Sequence, residues 1–262
     1  MYISKIFAIS LVFILAVLMG CNTDFTSADE NSNTGRLSIL LTDAPADYDS
    51  VVITFSEISA HIDSDWVHVS VDTMNVDLLQ WSNGNYTVLA ENDIPAGKYT
   101  QVRLKIIKAI LGRSGQVYEL DVPSGATSGL KLNHPFTISA GSSYELALDF
   151  NADKSIHSTG PKSNPKSYKL KPVIRIVSTA TSGSISRTVS NYSDFPHAHA
   201  LSGQDTTASV FADASNGKFM LAFLPEGFYT VSISDTTGKI FTADSIEVAA
   251  GADKDLGAIL LQ

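Results

Sequence analysis

Five carboxylates stand where chemistry could be done. Asp43, Asp47 and Asp49 share one proline-containing loop, while Asp149 and Asp153 flank the end of a later strand-forming run. Carboxylate oxygens are hard ligands and Ca²⁺ takes roughly six to eight of them, so a meeting of the two loops would make calcium the one candidate cofactor. The spacing is not that of an EF-hand, and Asp43 before Ala44-Pro45 equally suits a side chain capping its own turn. His197 and His199 alternate along a short run, which puts both rings on one face of a strand, where they could share a metal. No third ligand lies nearby, and solvent-facing histidines are the plainer expectation.

Aromatic rings offer a different chemistry. Trp81 and Tyr86 bracket Ser82-Asn83-Gly84-Asn85, and a tight hairpin there would set the two rings side by side. Exposed, they would form a platform for the apolar face of a sugar; buried, they would close a core as a cross-strand pair, which is the favoured reading. Trp66 carries the same two readings. His61, His68, His134 and His157 show no arrangement with a nucleophile or carboxylate. The chain has no Gly-x-Ser-x-Gly elbow, His-Glu-x-x-His, phosphate loop or Gly-x-Gly-x-x-Gly fingerprint, so no catalytic residue is expected. Carboxylate pairs arise by chance in an acidic chain and do not make a glycosidase.

Cys21 is the only cysteine, and it closes the phrase Leu18-Met19-Gly20-Cys21 after Lys5 and an apolar run. This resembles a bacterial lipoprotein signal, which implies cleavage before Cys21 and acylation of its thiol and new amine. The apolar run is shorter than the roughly 20 residues of a transmembrane helix, so the membrane partner is reached through lipid on Cys21. Removing residues 1–20 takes one lysine and no acid, leaving 17 basic and 27 acidic residues, a net charge of −10. Scattered, outnumbered cations exclude a nucleic-acid partner. No thiol remains for a disulfide. Asn22, where enteric-type sorting reads Asp as inner-membrane retention, points to the outer membrane.

Residues 22–35 are polar and aperiodic, as in a flexible tether. After Gly35 come short runs rich in β-branched and aromatic residues, separated by turn residues, at 37–42, 51–62, 66–71, 74–79, 99–111, 117–122, 130–133, 144–150 and 168–177. Alternation is clearest where Val102, Leu104 and Ile106 face a core and Arg103 and Lys105 face water. A weak helical pattern covers 76–81. Past a Ser/Thr/Gly-rich linker at 178–183, seven further strands are expected at 184–189, 197–201, 208–212, 218–223, 228–234, 239–248 and 256–261. Asn216-Gly217 suits a hairpin between the third and fourth of these.

One phrase occurs twice, as Ile94-Pro95-Ala96-Gly97-Lys98-Tyr99-Thr100 and Leu224-Pro225-Glu226-Gly227-Phe228-Tyr229-Thr230. Proline and glycine set a turn, and a tyrosine then opens a strand, its phenol placed to bond nearby backbone as in a tyrosine corner. Residues 184–262, through this phrase and Asp213-Ala214-Ser215-Asn216-Gly217-Lys218-Phe219, resemble the carboxypeptidase regulatory-like, transthyretin-type sandwich. That resemblance implies a seven-stranded accessory domain grouped with carbohydrate-binding-like folds, usually without an active site. Residues 36–178 resemble the bacterial lipoprotein family called domain of unknown function 4382, through Leu41-Thr42-Asp43-Ala44-Pro45, the first copy of the repeated phrase, Leu148-Asp149-Phe150-Asn151 and Leu170-Lys171-Pro172-Val173.

The fold class expected is all-β: two antiparallel β-sandwich modules at 36–178 and 183–262, behind a lipoprotein signal peptide at 1–20 and a short disordered tether at 21–35. The expected function is that of a non-catalytic, membrane-anchored envelope lipoprotein with a binding, adhesion or structural role and a glycan or an envelope protein as partner. A carbohydrate-binding surface protein is the first alternative, and an enzyme of unrecognised type the second.

Overall fold

A computed structural model describes residues 33–44, 46–160 and 167–262. The signal segment, Cys21 and the tether up to residue 32 lie outside the described residues, as does Pro45. In the first half the strands are β1 (Thr34–Ala44), β2 (Ser50–Ile62), β3 (Asp65–Ser70), β4 (Met74–Asp77), β5 (Thr87–Pro95), β6 (Gly97–Arg113), β7 (Gln116–Asp121), β8 (Leu130–Ile138), β9 (Ser143–Asn151), β10 (Ile156–Thr159), β11 (Ser167–Leu170) and β12 (Ile174–Ser178). Two short helical turns interrupt them, α1 (Ser124–Gly129) and α2 (Ala152–Ser155). The second half holds β13 (Ser182–Val189), β14 (His197–Ser202), β15 (Asp205–Phe211), β16 (Lys218–Pro225), β17 (Gly227–Ser234), β18 (Ile240–Val248) and β19 (Asp253–Ile259). Among the described residues no helix is long and apolar enough to cross a membrane.

The fold is an all-β sandwich architecture used twice. In the first module a four-stranded sheet, ordered β12-β9-β1-β5, covers an eight-stranded one built on β10-β11-β7-β6-β2-β3. In the second, β16-β13-β19 covers β15-β14-β17-β18. Each pair of sheets encloses its own apolar core: Leu37, Ile53, Phe55 and Phe150 are among the residues of the first, and Ile185, Phe219, Val231 and Ile233 of the second. The alternation at 102–106 sends Val102, Leu104 and Ile106 into the first core. Most pairings are antiparallel, but β1 with β9, β7 with β11 and β13 with β19 run parallel.

The two modules share more than a class. Gly35 of β1 pairs with Ile94, and Gly183 of β13 pairs with Leu224. The amide of Ala96 donates to Asn33 O at 2.8 Å, and that of Glu226 to Thr181 O at 3.1 Å. Gly141 donates to Thr34 O at 2.9 Å, and Gly251 to Ser182 O at 2.8 Å. Both glycines of the first strands are required by close approach: a Cβ on Gly35 would lie 2.8 Å from Ser142 O, and one on Gly183 would lie 2.6 Å from Ala252 O. The repeated phrase therefore marks a repeated corner. Tyr99 OH donates to Pro95 O and Tyr229 OH to Pro225 O, each at 2.8 Å.

Several expectations need correction. Strand β5 was absent from the pattern because Glu91-Asn92-Asp93 has low strand propensity. Its antiparallel ladder with β1 and the buried Leu89, Ala90 and Ile94 hold it, with exposed ion pairs of Arg36 to Glu91 at 3.2 Å and Asp93 at 3.0 Å across its polar centre. The run 168–177 is two strands in different sheets: Pro172 offers no amide, and Ser155 secures the break by accepting from Lys171 N and, through Oγ, from Val173 N. Asn216-Gly217 does not join a hairpin, since β15 and β16 lie in opposite sheets and the turn carries the chain between them. The tether gives way to strand at Thr34, and the helical pattern at 76–81 is a single 3-10 turn, Leu78–Gln80.

Candidate functional site

The five aspartates have separate duties. Asp43, at the end of β1, reaches beyond its own turn: its Oδ1 accepts from Ala152 N at 2.9 Å, where the chain leaves β9. It is 5% exposed, and its Oδ2 is buried with no hydrogen-bond partner. Burial pushes its carboxyl up to about 9, opposed by the Ala152 amide and helped by the charge of Asp149. Asp149 is held by Arg175, which lies opposite it on β12 and donates from Nε at 3.1 Å and Nη2 at 2.7 Å. Asp49 accepts through Oδ2 from Gly115 N at 2.8 Å, at the β6–β7 hairpin. Asp153 sits in the first turn of α2. Asp43 and Asp49 line one groove with Tyr48 and Phe211, and Asp43 and Asp149 line a small neighbouring one with Thr42 and Asn83, so the two loops meet at Asp43 and Asp149, while Asp47 and Asp153 line neither. Among the described residues, no three of His, Cys, Asp or Glu are grouped to hold a metal ion.

The histidine pair points one way along β14, with ring centroids 4.1 Å apart. His197 packs against Phe211 at 4.3 Å, and its Nε2 is buried without a partner. Burial and the neighbouring His199 pull His197 down to about 4; burial and the charge of Lys154 lower His199.

The three aromatics part company. Trp81 packs against the first core, whereas Tyr86 is 47% exposed and meets Phe223 edge-on at 6.0 Å. The expected hairpin between them is a crossover: Asn83 and Gly84 both take positive φ, but β4 pairs with β2 and β5 with β1. Trp66 has Arg103 over its ring at 4.3 Å and Lys131 at 5.5 Å, with His61 tilted against it at 4.9 Å.

Asn83 and Arg175, neither of them expected as a site residue, join the two modules. β16 is an edge strand, and the Asn83 side chain closes that edge like a short piece of neighbouring strand. Its Oδ1 accepts from Met220 N at 2.5 Å, and its Nδ2 donates to Lys218 O at 3.3 Å. Arg175 donates from Nη1 to Phe223 O at 2.6 Å while still holding Asp149. Phe223 has φ of +53°, which is costly for a bulky side chain and sits at a bulge of β16 against β13. The Asn-Gly dipeptide at 83–84 was the only available signal, and it reads as a hairpin tip until the partner strand is known.

Beside this clamp lies a groove of about 290 Å³, shared by both modules. Tyr86 and Phe223 give it aromatic surface; Glu145 and Asp253 give it carboxylates; Ser184 and Thr179 give it hydroxyls. Leu40, only 2% exposed although it faces away from the first core, lines it too. Asp253 accepts from Ser184 Oγ at 2.7 Å and Ser186 Oγ at 2.6 Å.

These features define a tandem β-sandwich protein with a groove at the joint of its modules. Residues 34–172, just over half of the chain, match the family described as Domain of unknown function (DUF4382), and the chain belongs to that family. No curated protein matches it. Among solved structures, the Bacillus anthracis TIE protein is 11% identical with a TM-score of 0.25, covering 88% of this chain and 51% of its own. A putative adhesin from Bacteroides ovatus is 10% identical with a TM-score of 0.23, over 86% of this chain and 88% of its own. BcpA, the major pilin subunit of Bacillus cereus, is 10% identical with a TM-score of 0.21, over 87% and 70%. The chain thus spans about half the length of the first of these.

Proposed function

We propose that this chain is a membrane-tethered, non-catalytic protein of the bacterial cell envelope, whose two sandwiches work as one binding and structural body. The observation that carries the reading is the joint. Asn83 spends both ends of its amide on the edge of β16, and Arg175 ties β9, β12 and β16 together. A body built this way transmits position from an anchor at one end to a surface at the other, which suits adhesion or envelope architecture. Lipid on Cys21 supplies the anchor, and Asn22 favours the outer membrane.

Of the polar groups that chemistry would need, Asp149 is committed to Arg175, and the unpaired atoms of Asp43 and His197 are buried. Asp43 serves the main chain through Oδ1, and the rings of His197 and His199 lie against one another, tilted by 47°. The carboxypeptidase regulatory-like resemblance of the second module agrees with an accessory role.

Protease treatment of intact cells, comparing the native protein with Cys21→Ala, tests the reading. Membrane association of the native chain and release of Cys21→Ala as a soluble folded protein are expected. Digestion of the native form would place it on the outer surface, protection on the periplasmic side. Equal membrane association of both forms would overturn the tether.

A further inference from the structure

We infer that the groove at the joint is a binding subsite for a short segment of neutral carbohydrate, with Tyr86 as its stacking platform and Glu145 and Asp253 as its hydroxyl acceptors. The inference deepens the envelope reading by naming what the body binds. Its volume, about 290 Å³, lies at the small end of the ~300–1,000 Å³ typical of small-molecule sites, and joints between domains are where such sites concentrate.

The lining selects the class of ligand. Tyr86 is the one exposed ring there, held edge-on by Phe223 so that it is presented at little cost in side-chain freedom. A wholly apolar ligand would strip water from the exposed Glu145 carboxylate and from the outer lone pairs of Asp253, whose inner ones the serines already fill, and return no hydrogen bonds to them. An anionic ligand would meet Glu145 and Asp253 with no cationic side chain in the lining. An extended peptide adding to a sheet has no place either, since Asn83 already occupies the open positions at Lys218 and Met220 of β16. A neutral sugar ring has what remains: an apolar C–H face for Tyr86 and hydroxyls to donate to carboxylates. Glu145 is exposed and makes no side-chain hydrogen bond among the described residues, so it is available to accept. Gly251 adds no side chain to the groove, and a Cβ there would stand in open space.

The same surface explains why the three aromatics do not act together. Trp81 is absorbed by the first core and Trp66 is covered by Arg103, leaving Tyr86 alone beside acceptors.

Isothermal titration of the full-length Cys21→Ala chain with neutral gluco-, manno- and galacto-hexaoses, and with a uronate hexamer as control, tests the inference. Saturable binding of at least one neutral hexaose and none of the uronate is expected. Tyr86→Ala should weaken binding tenfold or more, Glu145→Gln about fivefold, and Tyr86→Phe less than threefold, with melting temperatures unchanged because both side chains are exposed. No binding of any neutral hexaose, binding indifferent to Tyr86→Ala, or preference for the uronate would overturn it. Those outcomes leave the tether untouched, because the protease experiment reads anchoring and not ligand.

Discussion

Strands β1 and β13 follow the same course through the two modules, and the places where their side chains differ show where each module departs from a common plan. Counting from the glycines they share, Leu37 matches Ile185 and Leu41 matches Val189, all fully buried. Between them, Ile39, 0% exposed, stands where the second module has Arg187. The Arg187 guanidinium lies over the Phe241 ring at 4.2 Å, its Nε is buried without a partner, and burial lowers its pKa. Two residues past the shared valine-or-leucine position, Asp43 matches Asn191. The asparagine uses both ends of its amide on Leu261, accepting at 3.0 Å and donating at 3.2 Å. The aspartate accepts from Ala152 but leaves Oδ2 with nothing to do. A backbone plan tolerates such exchanges, but each one leaves a polar group that the plan does not serve.

The largest effect should come from removing what the modules share. Gly35→Ala and Gly183→Ala each place a Cβ against main-chain carbonyls and should cost about 3 kcal/mol, read from the urea midpoint. Tolerance in one module alone would break the equivalence of the two first strands.

Next comes the exchange at the strand ends. A carboxyl raised to about 9 in the folded chain keeps its proton there, while the unfolded chain gives it up above its ordinary value of 3.8. Its contribution is therefore fully present below pH ~4 and is lost as pH rises towards 9. Asp43→Asn should stabilise the protein at pH 7 by about 2 kcal/mol and flatten its stability between pH 5 and 9. Asn191→Asp should do the reverse in the second module. Loss of stability in Asp43→Asn, with calcium stabilising the parent chain but not the variant, would mean that a cation and not a proton serves Oδ2.

Smaller shifts sharpen the comparison. Arg187→Leu, which restores the core pattern of Ile39, should gain about 1 kcal/mol because it removes an unpaired buried nitrogen. Tyr99→Phe and Tyr229→Phe should each lose about 1 kcal/mol, and their double variant should be additive, since the corners lie in separate cores. Confined to acid pH is a limb belonging to the second module. His197 is depressed in the folded chain, so its contribution is present above pH ~6.5 and lost as pH falls from there towards 4. Replacing it by Gln should flatten that limb; an unchanged acid profile would remove His197 from it.

How much of this was legible in the residues depends on whether a signal was local. The repeated Pro-x-Gly-x-Tyr phrase announced the shared corner because turn chemistry and the tyrosine bond both fall within five residues. Alternation placed Val102, Leu104 and Ile106 correctly for the same reason. Strand β5 is hidden because its polar centre carries no local signal and its ladder partner, β1, lies more than forty residues away. The joint was hidden more completely: Asn83 and Met220, 137 positions apart, meet only because two sandwiches pack side by side. The aspartates were found as residues but not as duties, since Asp43 and Ala152 are 109 positions apart.

The central claim is that Asn83 and Arg175 fix the two modules as one body. Cys21 is the only native cysteine, so spin labels can be set at Val71→Cys and Leu260→Cys, both exposed, in a Cys21→Ala chain, and the distance between them measured by pulsed electron resonance. One narrow distance is expected, broadening when Asn83→Ala and Arg175→Ala are introduced together. A broad distribution in the parent chain, indifferent to both substitutions, would contradict it.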